Sequence, residues 1–151
     1  MPTKVSIKNK KVFFQFELVD KLVAGIQLLG TEIKSIRANK ASINEAFCIY
    51  VNSELIVRNM DISPYEMASH YNHEAKRDRK LLLNRKELDK WESKIKTQGL
   101  TIVPTKLFIN SSGIAKLEIA LAKGKKIHDK REDLKNKDAK RELDRIKKIR
   151  H

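Results

Sequence analysis

The sequence predicts a mainly β domain, a small closed barrel of the OB type with about three short helices, followed by a basic tail. Apolar residues alternate with polar ones in several short segments, which is typical of strands with one face on a core. Stretches with helical spacing separate these segments, and aromatic residues are few. The alternation is clearest at Ala115, Leu117, Ile119 and Leu121.

The first third of the chain predicts sheet, a short helix and more sheet. The run Val12 to Leu18 predicts a strand, and Gly25 to Leu29 continues the sheet up to Gly30. Residues 31–38 change to helical spacing, where Thr31 can cap the first turn and Glu32 lies near the positive end of the helix dipole.

The rest of the sequence up to residue 122 predicts two hairpins and two helices. Segments 47–51 and 55–58 alternate around Asn52 and Ser53, a hairpin pattern. Ser63 and Pro64 predict the start of a helix. A second helix begins at Asn84, with Glu87 completing a capping box, and ends at Gly99. A second hairpin follows, and its segments are 100–110 and 114–121.

The last 29 residues differ in composition from everything before them. They contain thirteen Lys/Arg and six Asp/Glu, a net charge of +7, which is half of the +14 of the whole chain. Such a segment buries too little apolar area to offset its ordering entropy. We therefore expect an OB-like barrel at residues 1–122 and a tail at 123–151 that is disordered when free and helical when bound.

The charge also indicates the class of partner. A basic surface binds polyanions, because contacts from Lys and Arg to phosphates release counterions. Nucleic acid is the first candidate, and a membrane surface is disfavoured because the tail has no Trp or Phe to insert. No apolar run approaches 18 residues, no secretion signal is visible and Cys48 is the single cysteine, so we expect a cytoplasmic protein.

No pattern in the sequence indicates catalysis, a metal or a cofactor. His70 and His73 have helical spacing, but no further ligand cluster accompanies them, so surface histidines are favoured over a metal site. Cys48 lies in an apolar alternation and is interpreted as a packed residue. Trp91 and the phenylalanines could stack on bases, but their apolar stripes favour the core.

Three motifs resemble the bacterial SsrA-binding protein (SmpB) family in their order along the chain. They are Gly30-Thr31-Glu32-Ile33-Lys34-Ser35-Ile36-Arg37, Arg79-Lys80-Leu81-Leu82-Leu83-Asn84 and Ala122-Lys123-Gly124-Lys125-Lys126-Ile127-His128-Asp129-Lys130-Arg131. The resemblance implies an OB-like barrel that binds the tRNA-like domain of transfer-messenger RNA. It also implies delivery with elongation factor Tu to stalled ribosomes for trans-translation, without catalysis.

The resemblance further implies that Glu32, Leu82 and Asn84 meet RNA. We expect the RNA-binding set to contain Lys10, Lys11, Glu32, Arg37, Arg79, Lys80, Leu82 and Asn84. The tail, which in that family engages the ribosomal decoding centre and the empty mRNA channel, corresponds to Gly124, Lys125, Lys126, His128, Asp129, Lys130 and Arg131. Asn39 and Ala75 depart from the family's usual Gly and Pro, but Asn39 can reach the left-handed conformation.

Two other classes remain open at this point. One is a generic ribosome- or nucleoid-associated nucleic-acid-binding protein, and the other is an RNA-processing enzyme with an unrecognised site. Preference for tRNA-like RNA over bulk duplex at raised salt separates the first, because non-specific binding fades steeply there. Turnover of RNA would reveal the second. We expect the protein to bind as a monomer.

Overall fold

The computed structural model describes residues 5–68 and 71–124 and is mainly β. The strands are β1 (Ser6–Lys8), β2 (Phe16–Ile26), β3 (Ala41–Ser42), β4 (Phe47–Val51), β5 (Glu54–Arg58), β6 (Asp61–Ile62), β7 (Arg79–Leu82), β8 (Thr101–Ile109) and β9 (Ala115–Gly124). The helices in this described part are α1 (Val12–Gln15), α2 (Gly30–Arg37) and α3 (Arg85–Gln98). The predicted class is confirmed.

Six antiparallel strands close into a ring. Their order is β8, β4, β5, β7, β2 and β9, and β9 pairs again with β8. Strand β1 extends the sheet on β8, and β3 pairs with β6 in a separate two-stranded sheet. Closure satisfies the backbone groups that an open sheet would leave unpaired at its edges. The predicted small barrel is confirmed.

The core lies inside this ring and follows the period-2 pattern. The four alternating residues of β9 are all buried, as are Leu55 and Val57 of β5. Helix α3 adds Leu88 and Trp91 to the same core. Trp91 is buried, so the expectation that it belongs to the core is confirmed. Its indole Nε1 donates to Asp20 of β2 over 3.3 Å.

Local turn and cap signals are also confirmed. The Asn84 side chain accepts from the Glu87 backbone N–H at 2.8 Å, and Gly99 ends α3 with φ +64°. Asn52 and Ser53 connect β4 to β5 with φ of +50° and +64°, which is the turn geometry that matches strand twist. Asn39 is left-handed, with φ +59°.

The predicted strand from Val12 to Leu18 is wrong in its first half. One turn of helix, α1, occupies Val12–Gln15, and β2 then runs without a break to Ile26. The turn places Val12 against Val103 and Ala122, and it directs Phe13 and Phe14 outward, 61% and 37% exposed. The expectation that the phenylalanines belong to the core is therefore wrong for these two, and the other three, Phe16, Phe47 and Phe108, are only partly buried.

The helix predicted from Ser63 is also absent from the described residues. The Asn72 side chain accepts from the Tyr65 backbone N–H at 3.1 Å and donates to the Tyr65 carbonyl at 2.9 Å. Such side-chain bonds compete for the backbone groups that a helix needs. Helix α2 begins at Gly30 with Leu29 as its N-cap, so Thr31 is not the cap.

The predicted boundary after residue 122 falls inside a strand, because β9 continues to Gly124, which pairs with Phe16. The tail beyond Gly124, including Lys125, Lys126, His128 and Asp129, lies outside the described residues, as do Lys130, Arg131 and His70. The predicted tail conformations therefore stay predictions.

We predict that Asn9→Ala destabilises the barrel. Asn9 is buried, its Nδ2 donates to the carbonyls of Ile43 and Pro104 at 3.1 and 2.9 Å, and its Oδ1 accepts from the Lys11 backbone N–H. Because truncation leaves those groups unsatisfied, we expect a loss of about 2 kcal/mol in the free energy of unfolding. Urea denaturation measures it.

The matched control is Asn44→Ala, which removes the side-chain oxygen that accepts an exposed hydrogen bond from the Lys10 backbone N–H. It should change the free energy of unfolding by no more than about 0.5 kcal/mol. Equal losses for the two variants would contradict the role assigned to Asn9.

Candidate nucleic-acid interface

A buried carboxylate lies beneath the candidate interface. Glu32, in the first turn of α2, has no exposed side-chain surface, and its Oε1 accepts from the Leu29 backbone N–H at 2.7 Å and from Arg77 at 2.8 Å. Its Oε2 accepts from Nε of Arg79, which is equally buried. Both carboxylate oxygens of Glu32 are thus occupied by donors from the protein itself.

These donors decide the charge state of Glu32. Burial by itself raises the pKa of its carboxyl, but the hydrogen bonds from Arg77, Leu29 and Arg79, with the charge of Arg79, outweigh burial. The pKa of Glu32 therefore lies below its ordinary value, and the carboxylate is ionised at neutral pH.

Arg79 hydrogen-bonds to the surrounding backbone as well as to Glu32. Its Nη1 donates to the Met60 carbonyl at 2.7 Å, and its Nη2 donates to the carbonyls of Ala75 and Glu74 at 3.1 and 3.4 Å. Neither the Glu32 nor the Arg79 side chain is exposed, so the structure places both in a buried framework and not at the surface. Their direct contact with RNA stays a prediction, and it would require these side chains to be uncovered on binding.

His73 belongs to the same framework. It is 6% exposed, its Nδ1 lies 2.9 Å from Thr31 Oγ1 and its Nε2 lies 2.8 Å from the Ile62 carbonyl oxygen. The interpretation of His73 as a surface histidine is therefore wrong. Among the described residues no group of three possible metal ligands occurs. Cys48 is buried, as expected, and burial raises the pKa of its thiol.

The strand that carries Arg79 and the start of the helix after it carry the outward residues of the candidate interface. Arg79 and Leu81 are buried, whereas Leu82 is 48% exposed. Lys80 is partly exposed and pairs with Glu54 at 2.9 Å. Asn84 is exposed and uses its side-chain oxygen as the cap of α3, so its amide N–H groups remain as donors. We call Lys80, Leu82 and Asn84 the β7 surface.

A shallow depression of about 450 Å³ adjoins the β7 surface. Gly25 forms part of it, and a Cβ there would meet the Leu82 Cβ at 3.2 Å, so glycine keeps this part open. Cations and apolar groups together suit a nucleotide, which combines phosphate and base. Besides the β7 surface and Gly25, the lining includes Val23, Glu54, Arg85 and Lys116.

Other predicted RNA contacts are exposed but lie apart from the β7 surface. Lys10 and Lys11 follow Asn9, whose backbone N–H donates to Thr105 of β8, the strand opposite β7 in the ring. Lys11 pairs with Glu45. Arg37 is exposed at the last turn of α2. The structure therefore groups Lys80 with Leu82 and Asn84, but it does not bring Lys10 and Lys11 to them.

Arg77 is not among the residues that the sequence predicts to bind RNA. This residue bonds Glu32 from the solvent side, and 34% of its side chain is exposed. Its place within a run of basic residues gave no reason to prefer it to Lys76. No helix in the described ranges, 5–68 and 71–124, is long and apolar enough to span a membrane.

Comparison with known proteins gives concordant results. The family model described as "SmpB protein" matches residues 6–149. The SsrA-binding protein of Phocaeicola vulgatus is 57% identical over 96% of this chain and 97% of its own length. That of Christiangramia forsetii is 53% identical over 98% of this chain and 94% of its own length.

A solved structure is similar in fold as well as in sequence. It is described as "tmRNA-SmpB: a journey to the center of the bacterial ribosome" and superposes with a TM-score of 0.68 at 39% identity. The match covers 82% of this chain and 86% of that chain.

We predict that Glu32 contributes strongly to the pH dependence of stability. Because its folded pKa is depressed, its stabilisation is present above the unfolded value of about 4.3 and is lost as pH falls through the folded pKa. Glu32→Gln should lower the free energy of unfolding by about 3 kcal/mol at pH 7, and the difference from wild type should shrink in acid. Urea denaturation across this range measures both.

Glu66→Gln is the control, since Glu66 is an exposed carboxylate paired with Lys40 at 2.9 Å. Exposed pairs contribute little, so its profile should stay close to that of wild type. Wild-type and Glu32→Gln profiles that run parallel into acid would contradict the role of Glu32.

Proposed function

The chain belongs to the SmpB protein family, and we propose that it binds the tRNA-like domain of transfer-messenger RNA and delivers it to stalled ribosomes for trans-translation. The observation that carries this proposal is the similarity to SsrA-binding proteins along nearly the whole chain, at 57% and 53% identity. The similar solved structure, whose description couples tmRNA with SmpB and the ribosome, supports the same function.

The β7 surface is the proposed contact with the tRNA-like domain. Lys80 supplies charge for phosphate, exposed Leu82 offers an apolar contact to a base or ribose, and the Asn84 amide can donate to RNA acceptors. Glu32 and Arg79 support this surface from below, since β7 is fastened to α2 through their ion pair. Lys10, Lys11 and Arg37 would add separate phosphate contacts.

The tail from Gly124 onward has a different proposed role. Its motif Gly124, Lys125, Lys126, His128, Asp129, Lys130 and Arg131 would engage the decoding centre, and the basic residues beyond would follow the vacant mRNA channel as a helix. The tail would be disordered until bound. Elongation factor Tu would take part in delivery, and the protein would act as a cytoplasmic monomer, binding RNA without catalysis or a cofactor.

We predict that Leu82→Ala weakens binding to the tRNA-like domain. Leu82 is 48% exposed, so its truncation should leave the fold intact while removing an apolar contact to RNA. We expect about a fivefold loss of affinity, equivalent to about 1 kcal/mol. Fluorescence anisotropy with labelled RNA measures it, and thermal melting checks the fold.

Val19→Ala is the matched control, because Val19 is 51% exposed on β2, six residues and about 20 Å before Gly25, the residue that pairs with Leu82. Its affinity should equal that of wild type. Unchanged affinity in Leu82→Ala would remove this residue from the interface.

We predict that removal of the tail separates RNA capture from ribosome rescue. Truncation after Gly124 retains all of β9 and every residue of the β7 surface. Specific affinity for the tRNA-like domain should change by less than about tenfold, while the salt dependence of non-specific binding decreases because basic residues are lost. Peptide tagging on a messenger without a stop codon should fail.

A full-length variant, Lys130→Ala with Arg131→Ala, controls for chain length and should also impair tagging. Normal tagging by the truncated protein would contradict the proposed role of the tail, and so would the loss of specific capture together with tagging.

A further inference from the structure

Arg77 lies between the buried Glu32 carboxylate and solvent. Its Nη2 donates to Glu32 Oε1 at 2.8 Å and reaches the Gln27 carbonyl at 3.4 Å, while Nη1 makes a long 3.4 Å bond to the Asp78 carbonyl. One third of the side chain is exposed, whereas Arg79 on the other carboxylate oxygen is wholly buried. Of the two guanidinium groups on Glu32, that of Arg77 is the one a ligand can reach.

Backbone contacts place Arg77 beside the β7 surface. The Gln27 carbonyl accepts from Arg77, and the Gln27 backbone N–H donates to the Lys80 carbonyl at 2.9 Å. Arg77 and Lys80 therefore flank the same residue. Arg77 extends the β7 surface by one more cation on the side of α2.

The hydrogen bonds of Arg77 indicate that Glu32 determines its position. Within the described residues, Arg77 Nε is enclosed and has no hydrogen-bond partner. A buried donor without an acceptor is unfavourable, so something else must hold the side chain in this place. The short bond to a buried, ionised carboxylate is the strongest interaction that Arg77 makes.

We propose that Arg77 donates to a phosphate of the bound RNA, and that Glu32 is a positioning residue that acts through Arg77 without touching RNA. This inference rests on the proposed function. A guanidinium held in advance loses less side-chain freedom on binding, and its planar fork suits phosphate. Glu32 would repel a phosphate if it were exposed, but two arginines cover it and leave net positive charge toward solvent.

The first measurement compares wild-type affinity for the tRNA-like domain with that for an unrelated RNA duplex at raised salt. Preference for the tRNA-like domain is expected. A protein without this preference would overturn the proposed function and, with it, this inference.

The second measurement removes the cation. Arg77→Ala should weaken binding to the tRNA-like domain about tenfold and reduce the slope of log affinity against log salt by about one phosphate contact. Lys96→Ala makes the same charge change in the last turn of α3, about 18 Å along that helix from Asn84. It should leave affinity and slope unchanged. Arg77→Lys should keep the slope and recover part of the affinity, since it retains charge but not the planar fork.

The third measurement is a double-mutant cycle between Glu32→Gln and Arg77→Ala, performed well below the melting temperature of each variant. If Glu32 acts through Arg77, Glu32→Gln weakens RNA binding in the wild-type background and has no further effect in Arg77→Ala. Independent, multiplicative losses would mean that Glu32 meets RNA directly and would overturn the inference.

Stability is measured on the same samples, because Glu32 also holds Arg79 and caps α2. A merely structural role would lower the melting temperature without changing the salt slope. If Glu32→Gln does not fold, Arg77→Ala decides the question. Unchanged affinity and slope in that variant, in a protein that still prefers the tRNA-like domain, would overturn the inference and leave the proposed function intact.

Discussion

The buried ionised Glu32 carboxylate is the interaction on which the rest of this surface depends. It connects the first turn of α2 to β7 through Arg79, and Arg79 in turn holds the carbonyls of Met60 and Ala75. A buried charge is stable only when it is paired and hydrogen-bonded, and here every carboxylate oxygen has a donor. Because two arginines pair with one carboxylate, the cluster carries an excess positive charge, and the partly exposed Arg77 presents it to solvent.

Strand β7 can combine a structural role with the proposed binding role because its side chains alternate. Arg79 and Leu81 are buried, while Lys80 and Leu82 lie on the outer face, where Leu82 pairs with Gly25. The run of three leucines is therefore not redundant, since Leu81 fills the core and Leu82 is half exposed. A substitution at an inward-facing position of this motif should affect stability, and one at an outward-facing position should affect the proposed binding.

Features governed by neighbours in sequence could be predicted, whereas those set by distant partners could not. The capping box of Asn84, the turn at Asn52 and the alternation along β9 depend on local chemistry, and all three were correct. The one-turn helix at Val12 depends on contact with Val103 and Ala122. Glu32 was expected at the surface because its partners, Arg77 and Arg79, lie 45 and 47 residues away. His73 was misplaced for the same reason, as Thr31 lies 42 residues before it.

Strand β2 connects the β7 surface to the point where the tail begins. Its end at Gly25 pairs with Leu82 of the β7 surface, whereas its start at Phe16 pairs with Gly124, where the tail begins. Nine residues at about 3.3 Å each place these points about 30 Å apart along the strand. Strand β2 pairs with β9 along this span, from Phe16 to Gly25, so the separation is held by the barrel itself. An RNA bound at the β7 surface, as proposed, and the tail would therefore start from opposite ends of β2 and could reach different partners at the same time.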